Sequence, residues 1–503
     1  MFDRKIKRKI PVLMGTQHPD NAGVPFWGDK PFIESRDETK EVFENFFTLD
    51  CDEYMWDWEG KFADEAMIER LLSTYMEHFK KSQIGRDKFI TIRIPNVWEE
   101  KTFKLARAYM SVLSAAEFAK SFRLATPPVF EFILPMTTTA SQLAHIQETF
   151  RKTAKLHESI FGKSDFGDGY IRVIPIFESV EEISSCSKIL KEFLASTKEK
   201  PSHMRVFIAR SDPALNAGFV SAMLAVRLGF SEIFSVEKET GIKMYPIIGT
   251  GSLPFRGGIN PENIKHSLPQ YKGAKTITIQ SAFRYDYPLA DVKKALAYIK
   301  KELEKDTKEI LDKKEFEKLQ KLIRIFKEFY RETVEKFAPQ INEMSKFIPG
   351  RRERVQHIGL LGYSRGIGET KLPRAIQFTA ACYSLGVPPE FIGTGRGLVE
   401  AKKQGLLETL KTHFPTIVWE LKHAGKFVNK ENLEKFSKKY KWAKEIIEDI
   451  KLCEEILKIQ TGPQKDHHYL HRNLTSNIAV KRELEMDFAK DIVEAAVLRK
   501  SLG

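Results

Sequence analysis

The feature of this chain that most limits its fold is the alternation of short β-rich runs with helix-length amphipathic segments. Eight β-rich runs occur, at residues 53–59, 89–96, 129–136, 170–178, 204–212, 243–252, 275–284 and 357–365. Helical patterns separate them, at residues 63–81, 102–122, 141–161, 179–196 and 214–228 among others. This order is typical of βα units around a parallel sheet. Since eight such units close a barrel, the sequence predicts an α/β fold, a (β/α)8 TIM-type barrel.

Two regions fall outside this repeat. Residues 288–345 read as a pair of long charged helices inserted between the seventh and eighth runs, and residues 402–503 as a helical extension without strand signals. No Ser/Gly-rich linker, low-complexity tract or internal repeat separates them from the rest. We therefore expect one domain over residues 1–503, with barrel strands between about 53 and 365 and the extra helices enlarging the barrel.

The ends of the β-rich runs are polar. Seven of the eight runs finish on a polar or charged residue, namely Glu59, Asn96, Glu178, Asp212, Ser252, Arg284 and Arg365. The carboxyl ends of the strands form the catalytic face of a (β/α)8 barrel, so these side chains are expected to converge on one pocket. Strands that simply end where solvent begins would also finish on polar residues.

Two carboxylates end neighbouring runs, Glu178 after the fourth and Asp212 after the fifth. Such a pair makes an oxygen-rich site for a hard cation, and Mg²⁺ characteristically takes one or two protein carboxylates together with substrate oxygens and water. Salt bridges closing the barrel mouth would use the same two residues. A general acid paired with a general base, as in a glycosidase, is a further alternative.

A glycine-dense segment, GTGSLPFRGGINPEN at residues 249–263, carries Arg256 at its centre. Gly257 and Gly258 let the backbone approach an anion closely, while the guanidinium can clamp a carboxylate or phosphate with two parallel hydrogen bonds. The segment is neither a Walker A motif nor GxGxxG. It is predicted to be an anion-binding loop, although a long loop would also need glycine for its turns.

Arg93 and Arg284 stand on strand-like segments at the same end of the predicted barrel. A buried arginine requires a carboxylate or an anionic ligand, and pairing with Glu178 or Asp212 would satisfy one of them. Three or four arginines around two carboxylates leave a positive surplus, which suits a substrate carrying both phosphate and carboxylate groups. His18, in TQHPDN, could bind metal, shuttle a proton or hold a carboxyl group. Most lone surface histidines, however, do none of these.

Composition excludes several classes. The net charge of +13 could indicate nucleic acid binding, but lysines alternate with glutamates in residues 293–335, as on a solvated helix face. The surplus is better explained by steering of an anionic substrate. The four scattered cysteines indicate neither zinc nor disulfides. No run of about 18 apolar residues and no signal-peptide core occurs, so a cytoplasmic protein without membrane or nucleic acid partners is expected.

Several segments resemble, in their order, motifs of the phosphoenolpyruvate carboxylase family. TQHPDN at residues 16–21, followed by PFW at 25–27, resembles the amino-terminal hallmark of its short, archaeal-type branch and is similar to the TAHPT element of the long bacterial and plant enzymes. The other matching segments are Phe177-Glu178, Ser211-Asp212 with Asn216-Ala217-Gly218, Arg256-Gly257-Gly258, and residues 280–287, 362–365, 372–376 and 393–395. The resemblance extends from about residue 10 to about residue 400, and its order is the specific part.

This resemblance implies a reaction. Bicarbonate attacks the phosphate of phosphoenolpyruvate, giving carboxyphosphate and the enolate of pyruvate, and the enolate then captures carbon dioxide to form oxaloacetate irreversibly, with release of phosphate. It also implies that Glu178 and Asp212 bind Mg²⁺, with Mn²⁺ as the alternative metal. His18 would assist carboxyl transfer. The arginines that would contact the substrate's anionic groups are Arg93, Arg256 and Arg284.

The sequence departs from the long enzymes at three positions. Ile248 and Thr250 stand where their glycine-rich loop has a histidine and an earlier arginine, and Leu215 replaces a lysine. Arg210 and Arg365 are the candidates to replace the missing phosphate contact. The family further implies a homotetramer and feedback by aspartate or malate. A Mg²⁺-dependent barrel aldolase or lyase acting on pyruvate-like enolates is the alternative enzyme, and a basic nucleic-acid-binding protein the alternative of another class.

Overall fold

The structure, a computed structural model, describes residues 8–59, 64–99, 104–162, 170–197, 200–305, 307–353, 366–367 and 370–503. Its centre is a closed barrel of eight parallel strands in sequential order. The strands are β1 (Leu13–Thr16), β2 (Glu53–Asp57), β3 (Phe89–Arg93), β4 (Val129–Leu134), β5 (Arg172–Phe177), β6 (His203–Ala209), β7 (Lys243–Gly249) and β8 (Thr276–Ile279). The predicted (β/α)8 fold is thus confirmed.

The identity of one strand was predicted wrongly. The barrel begins at β1, ahead of the run at residues 53–59 that we expected to be first, and β1 pairs with both β2 and β8 to close it. The run at 357–365, expected to be the eighth strand, lies outside the described residues, and the barrel closes without it. With only four residues, LMGT, β1 is too short to show the period-two pattern that marks a strand in a sequence.

Helices surround the barrel. They are α1 (Glu38–Phe47), α2 (Met67–Thr74), α3 (Met76–Lys81), α4 (Lys104–Ser121), α5 (Ala140–Phe161), α6 (Val180–Ser184), α7 (Cys186–Ser196), α8 (Ser211–Ala217), α9 (Phe219–Thr240), α10 (Ile264–Ser267) and α11 (Ser281–Tyr285). By length and composition α9 could cross a membrane, but 83% of its apolar window is buried inside the protein. It is therefore a core helix, whose apolar surface packs against the barrel and the later helices.

The charged helix pair is α12 (Leu289–Leu303) and α13 (Lys313–Ser345). Both follow β8, so the expectation that they interrupt the barrel between its last two strands is wrong. After the two-stranded sheet of β9 (Gly366–Ile367) and β10 (Thr370–Lys371), the described chain is helical. Its residues 402–503 were predicted to be helical. Its helices are α14 (Ala375–Ser384), α15 (Thr394–Lys403), α16 (Leu407–His413), α17 (Ile417–Gly425), α18 (Lys430–Ser437), α19 (Lys441–Leu457), α20 (Asp466–Glu483) and α21 (Ala489–Leu498).

The barrel interior is layered along its axis. Near the amino ends of the strands, buried Arg205 forms ion pairs with Glu53 at 2.6 Å and Glu131 at 2.8 Å. A layer of apolar side chains, including Met55 and Phe207, fills the middle. Alternation along each strand then places polar side chains inward at the carboxyl ends. We call this end, with the segments that follow each strand, the mouth.

Candidate active site at the barrel mouth

Arg93, the last residue of β3, is held by Asp57, the last residue of β2, and by Glu59, which follows that strand. Its Nε and Nη2 donate to the two carboxylate oxygens of Asp57 at 2.9 and 2.5 Å, and Nη2 lies 3.0 Å from a carboxylate oxygen of Glu59. Burial lowers the pKa of Arg93, but Asp57, Glu59 and more distant Glu178 outweigh it and hold that pKa above its ordinary value. Its ion-pair partners are thus the β2 carboxylates.

Glu178 and Asp212 follow neighbouring strands. Glu178 comes directly after β5, Asp212 is the second residue of α8 after β6, and the two strands pair through Phe177 and Ile208. The backbone amide of Met136 donates to Oε2 of Glu178 at 3.2 Å, which orients the carboxylate. Among the described residues there is no group of three or more His, Cys, Asp or Glu side chains suited to a metal ion. Two carboxylates completed by substrate and water fit Mg²⁺.

Arg256 is buried in the wall of the mouth. Its Nη1 donates to Asp20 Oδ2 at 2.9 Å and to the backbone oxygen of Gly503 at 2.6 Å. Nη2 donates to Gln280 Oε1 at 2.5 Å, and Nε to Ser211 Oγ at 3.2 Å. Burial raises the pKa of Asp20, and the facing guanidinium opposes that rise. Arg256 therefore joins four parts of the chain that are distant in sequence.

The glycine-dense segment after β7 is a buried, internally bonded turn. Residues 251–260 are buried throughout. The amides of Gly257 and Gly258 donate to the carbonyls of Pro254 and Leu253 at 3.0 and 2.9 Å. The two glycines have φ values of 126° and 70°, which favour glycine. Their amides could reach an anion only by giving up these bonds.

Arg210 supports this turn from behind. Its Nη1 and Nη2 donate to the carbonyl oxygens of Phe255 and Phe219 at 3.2 and 3.1 Å, and burial lowers its pKa. Two buried carboxyl groups of the helical region lie nearby: Glu390 accepts the Phe255 amide at 2.8 Å, and Glu420 accepts Ser267 Oγ at 2.6 Å. Burial raises the pKa of Glu390 to about 7 and that of Glu420 to about 8.

Arg284 lies elsewhere than predicted. The strand-like segment 275–284 is a strand only to Ile279, and Arg284 belongs to α11. Its Nη2 donates to the Thr16 carbonyl at 2.6 Å and to Glu41 of α1 at 3.0 Å, and its guanidinium stacks on the ring of Tyr285. These partners place it on the outer side of β1, against α1. Arg365, the other arginine expected at the mouth, lies outside the described residues.

The TQHPDN segment crosses the mouth directly after β1. His18 Nδ1 and Thr16 Oγ1 share a hydrogen bond of 2.9 Å, and the Gln17 side chain accepts the Asp57 amide at 2.9 Å. The amide of Asp20 donates to the His18 carbonyl at 3.1 Å, which makes a tight turn. The structure thus brings His18 to the same end of the barrel as Arg93, Arg256, Glu178 and Asp212.

The predicted positive surplus of the mouth stays a prediction, because Arg365 lies outside the described residues. Among the described residues that end or follow the strands, the acidic side chains include Asp20, Asp57, Glu59, Glu178 and Asp212, and the basic ones Arg93, Arg210 and Arg256. The guanidinium groups of Arg93 and Arg256 each pair with protein carboxylate.

Sequence reasoning missed Asp57 and Asp20. Asp57 was detectable, because in EYMWD it shares the inward register of Glu53 and Met55. Asp20 stands in the TQHPDN motif, but only the folded chain brings it to Arg256. No local pattern relates residues 236 positions apart, the separation between Asp20 and Arg256.

The fold places the chain among the (β/α)8-barrel proteins, with carboxylates and buried arginines where its strands end. A sequence profile described as phosphoenolpyruvate carboxylase matches residues 10–503. Curated proteins of that name include those of Leuconostoc mesenteroides, 42% identical over 94% of this chain and 94% of that protein, and Oenococcus oeni, 40% identical over 99% of this chain and 100% of that protein. The protein of that name from the archaeon Pyrococcus horikoshii is 38% identical over 88% of this chain and 94% of that protein.

The chain belongs to the phosphoenolpyruvate carboxylase family, and it is an enzyme of the carboxy-lyase class. A solved malate synthase of Haloferax volcanii, in complex with magnesium and glyoxylate, covers 68% of this chain and 96% of its own. Its sequence identity is 12% and its TM-score 0.38, too low to carry an inference.

Proposed function

We propose that this chain catalyses the Mg²⁺-dependent, irreversible carboxylation of phosphoenolpyruvate with bicarbonate, giving oxaloacetate and phosphate through carboxyphosphate and the enolate of pyruvate. Family membership supports the reaction. The observation that carries the site is that Glu178 and Asp212 follow neighbouring strands at the mouth, the end of the barrel that also holds the buried guanidinium groups of Arg93 and Arg256.

The proposed metal ligands are Glu178 and Asp212, for Mg²⁺ or alternatively Mn²⁺. When bound, the cation supplies positive charge where negative charge develops on the substrate. Their place after adjacent strands supports this choice, because Mg²⁺ characteristically takes one or two protein carboxylates together with substrate oxygens and water. Met136, through its amide, fixes the direction of the Glu178 carboxylate before any ligand arrives.

Arg93 and Arg256 are the proposed contacts to the anionic groups of the substrate. Both are buried and held in one orientation by short hydrogen bonds, so little reorganisation is needed when charge develops nearby. His18 is the proposed residue for carboxyl transfer. Arg210 and Arg284 serve the site indirectly, Arg210 by holding the turn that carries Arg256, and Arg284 by holding the end of β1 at Thr16.

The deciding experiment combines purified protein, phosphoenolpyruvate, bicarbonate and Mg²⁺ with malate dehydrogenase and NADH. We expect NADH oxidation that requires both bicarbonate and the divalent metal. If NADH oxidation does not depend on bicarbonate, the proposed reaction is wrong. If NADH oxidation persists after the divalent metal has been chelated, the proposed metal requirement is wrong. The same assay separates this reaction from that of a barrel aldolase or lyase, which would not consume bicarbonate.

Asp212→Asn tests the metal assignment within this assay. Because the substitution removes an anionic ligand but keeps the shape of the side chain, we expect an intact fold and a fall in kcat of about a hundredfold or more at ordinary Mg²⁺ concentrations. Asp291→Asn, at an exposed position of α12, is the matched control and should keep wild-type turnover. Near-wild-type turnover of Asp212→Asn would remove Asp212 from the site.

Three further properties follow from the family and are proposed with the reaction. The chain assembles as a homotetramer, its activity is subject to feedback by aspartate or malate, and it works in the cytoplasm. Light scattering of the purified protein and the coupled assay with added aspartate or malate test the first two.

A further inference from the structure

Asp20 is a fully buried carboxylate outside the set of residues proposed above for the reaction. Its Oδ2 accepts Arg256 Nη1 at 2.9 Å, and its Oδ1 accepts the backbone amide of Ala282, at the start of α11, at 2.7 Å. Its backbone oxygen accepts the amide of Leu502 at 2.7 Å. One residue therefore ties together the segment after β1, the turn after β7, the start of α11 and the chain around residue 502.

The guanidinium of Arg256 depends on this carboxylate. An arginine has five N–H donors in a planar fork. Acceptors among the described residues engage four of those of Arg256, through Asp20, Ser211, Gln280 and the backbone oxygen of Gly503. Asp20 is the side-chain anion of this set. Its two hydrogen bonds, to Arg256 and to the Ala282 amide, help to set the plane in which the fifth N–H, on Nη2, is presented.

Asp20 also fixes the turn that carries His18. Only Pro19 separates the two residues, and the amide of Asp20 donates to the His18 carbonyl at 3.1 Å. The hydrogen bond between His18 Nδ1 and Thr16 Oγ1 orients the imidazole within that turn. The Asp20 carboxylate, bonded to Arg256 and to the Ala282 amide, anchors the residue whose backbone amide closes this turn, so a shift of residue 20 would displace the imidazole and the guanidinium together.

We propose that Asp20 is a positioning residue of the carboxylation site, which fixes Arg256 and His18 relative to each other without touching the substrate. This inference rests on the proposed function. Misplacement of a substrate-holding group by about 1 Å can cost a hundredfold in rate, so the isosteric loss of this one anion is expected to matter. We expect the rate to fall even though the fold around residue 20 persists.

The test is Asp20→Asn, in which the amide oxygen can still accept from Ala282. We expect the KM for phosphoenolpyruvate to rise about tenfold or more. The ratio of phosphate released to oxaloacetate formed should also rise above its wild-type value, because a displaced His18 lets the enolate escape. A merely structural role would lower the amount of active enzyme, which changes neither a KM nor a product ratio.

Asp286→Asn is the matched control. Asp286 supports the same segment, accepting the amides of Ala22 and Gly23 at 2.8 and 2.7 Å, but its hydrogen bonds do not include Arg256. We expect it to keep the wild-type KM and product ratio even where its unfolding temperature falls. Wild-type KM and ratio in Asp20→Asn, or equal changes in both variants, would overturn the positioning role.

A double-mutant cycle with Arg256→Gln asks whether Asp20 acts on substrate binding through the arginine. If it does, Asp20→Asn has no further effect on KM in the Arg256→Gln background, whereas fully additive effects contradict the inference. If Asp20→Asn does not fold, Asp20→Glu replaces it: it keeps the anion but moves it by one methylene, and wild-type KM and ratio there also overturn the role. Inactive wild-type protein would instead refute the proposed function itself.

Discussion

At the scale of single residues, the partners of the buried charges decide what the mouth can bind. Arg93 and Arg256 each have a carboxylate partner within 3 Å, so neither is a free anion receptor. Such pairs hold the guanidinium groups in fixed planes, so an anion that binds at the mouth would meet donors whose orientation is already set. His18 is the one imidazole of the TQHPDN segment, and its partner Thr16 ends β1.

His18→Asn provides the prediction at this scale. We expect oxaloacetate formation to be lost while some bicarbonate-dependent phosphate release remains, because Asn can keep a hydrogen bond to Thr16 but cannot assist carboxyl transfer. Phosphate and oxaloacetate are measured in parallel. His145→Asn, at an exposed position of α5, controls for the substitution itself. Full oxaloacetate formation by His18→Asn would remove this residue from the chemistry.

At the scale of elements, the turn after β7 behaves as a rigid part of the wall. Glu390 and Arg210 hold the amide and the carbonyl of Phe255, one residue before Arg256. Tyr271 donates its hydroxyl to the Gly257 carbonyl at 2.7 Å. Because both backbone groups of Phe255 are engaged, the turn cannot swing as a unit without breaking buried hydrogen bonds, each worth about 1 kcal/mol or more.

Gly258→Ala tests this rigidity. A Cβ at this position would lie 2.5 Å from Glu420 Oε2, on a backbone with φ of +70°. Gly241, with φ of +72° and no heavy atom within 4 Å of its Cβ position, isolates the backbone contribution alone, about 1 kcal/mol. We expect Gly258→Ala to lower the unfolding temperature clearly more than Gly241→Ala and to raise the KM for phosphoenolpyruvate. Equal decreases of the unfolding temperature in the two variants would show that the turn adjusts to the added methyl group and is not rigid.

At the scale of the whole molecule, the helical region beyond residue 402 builds the back of the site. Glu420 of α17 packs against Gly258, and the backbone oxygen of Gly503 accepts from Arg256. This region is therefore part of the same folded unit as the mouth. Its contact with the barrel contains buried carboxyl groups, which makes the stability of the assembled molecule depend on pH.

Glu420→Gln tests that dependence. Burial raises the pKa of Glu420 from an ordinary 4.5 to about 8, so the folded protein retains a proton that the unfolded chain releases. Stability is therefore lost as pH rises from about 4.5 through about 8, by up to about 1.4 kcal/mol per pH unit. Gln does not titrate. The unfolding temperature of the variant minus that of the wild type should become more positive between pH 6 and pH 8.5.

Glu408→Gln, at a surface position of α16, is the control and should follow the wild-type curve. A constant difference between Glu420→Gln and the wild type across this pH range would contradict the raised pKa. Glu390 remains in both proteins, so a residual slope is expected in the variant.

The barrel and its acidic pair could be predicted from the sequence because they are local properties. Strand runs show in the period and composition of adjacent residues, and the order of carboxyl ends follows from the right-handed βα repeat. Glu178 and Asp212 were found in this way, and both stand where neighbouring strands end. The proposed reaction came from the family motifs, whose order along the chain is also a property of the sequence.

Only the tertiary structure decided which charges meet. It closed the barrel with four residues, Leu13–Thr16, whose strand state depends on pairing with β2 and β8. It placed Arg284 outside the barrel, and it paired Arg256 with Asp20 and Arg93 with Asp57. A buried charge takes the partner that folding brings within about 3 Å, and that proximity between residues far apart along the chain is not a local property of the sequence.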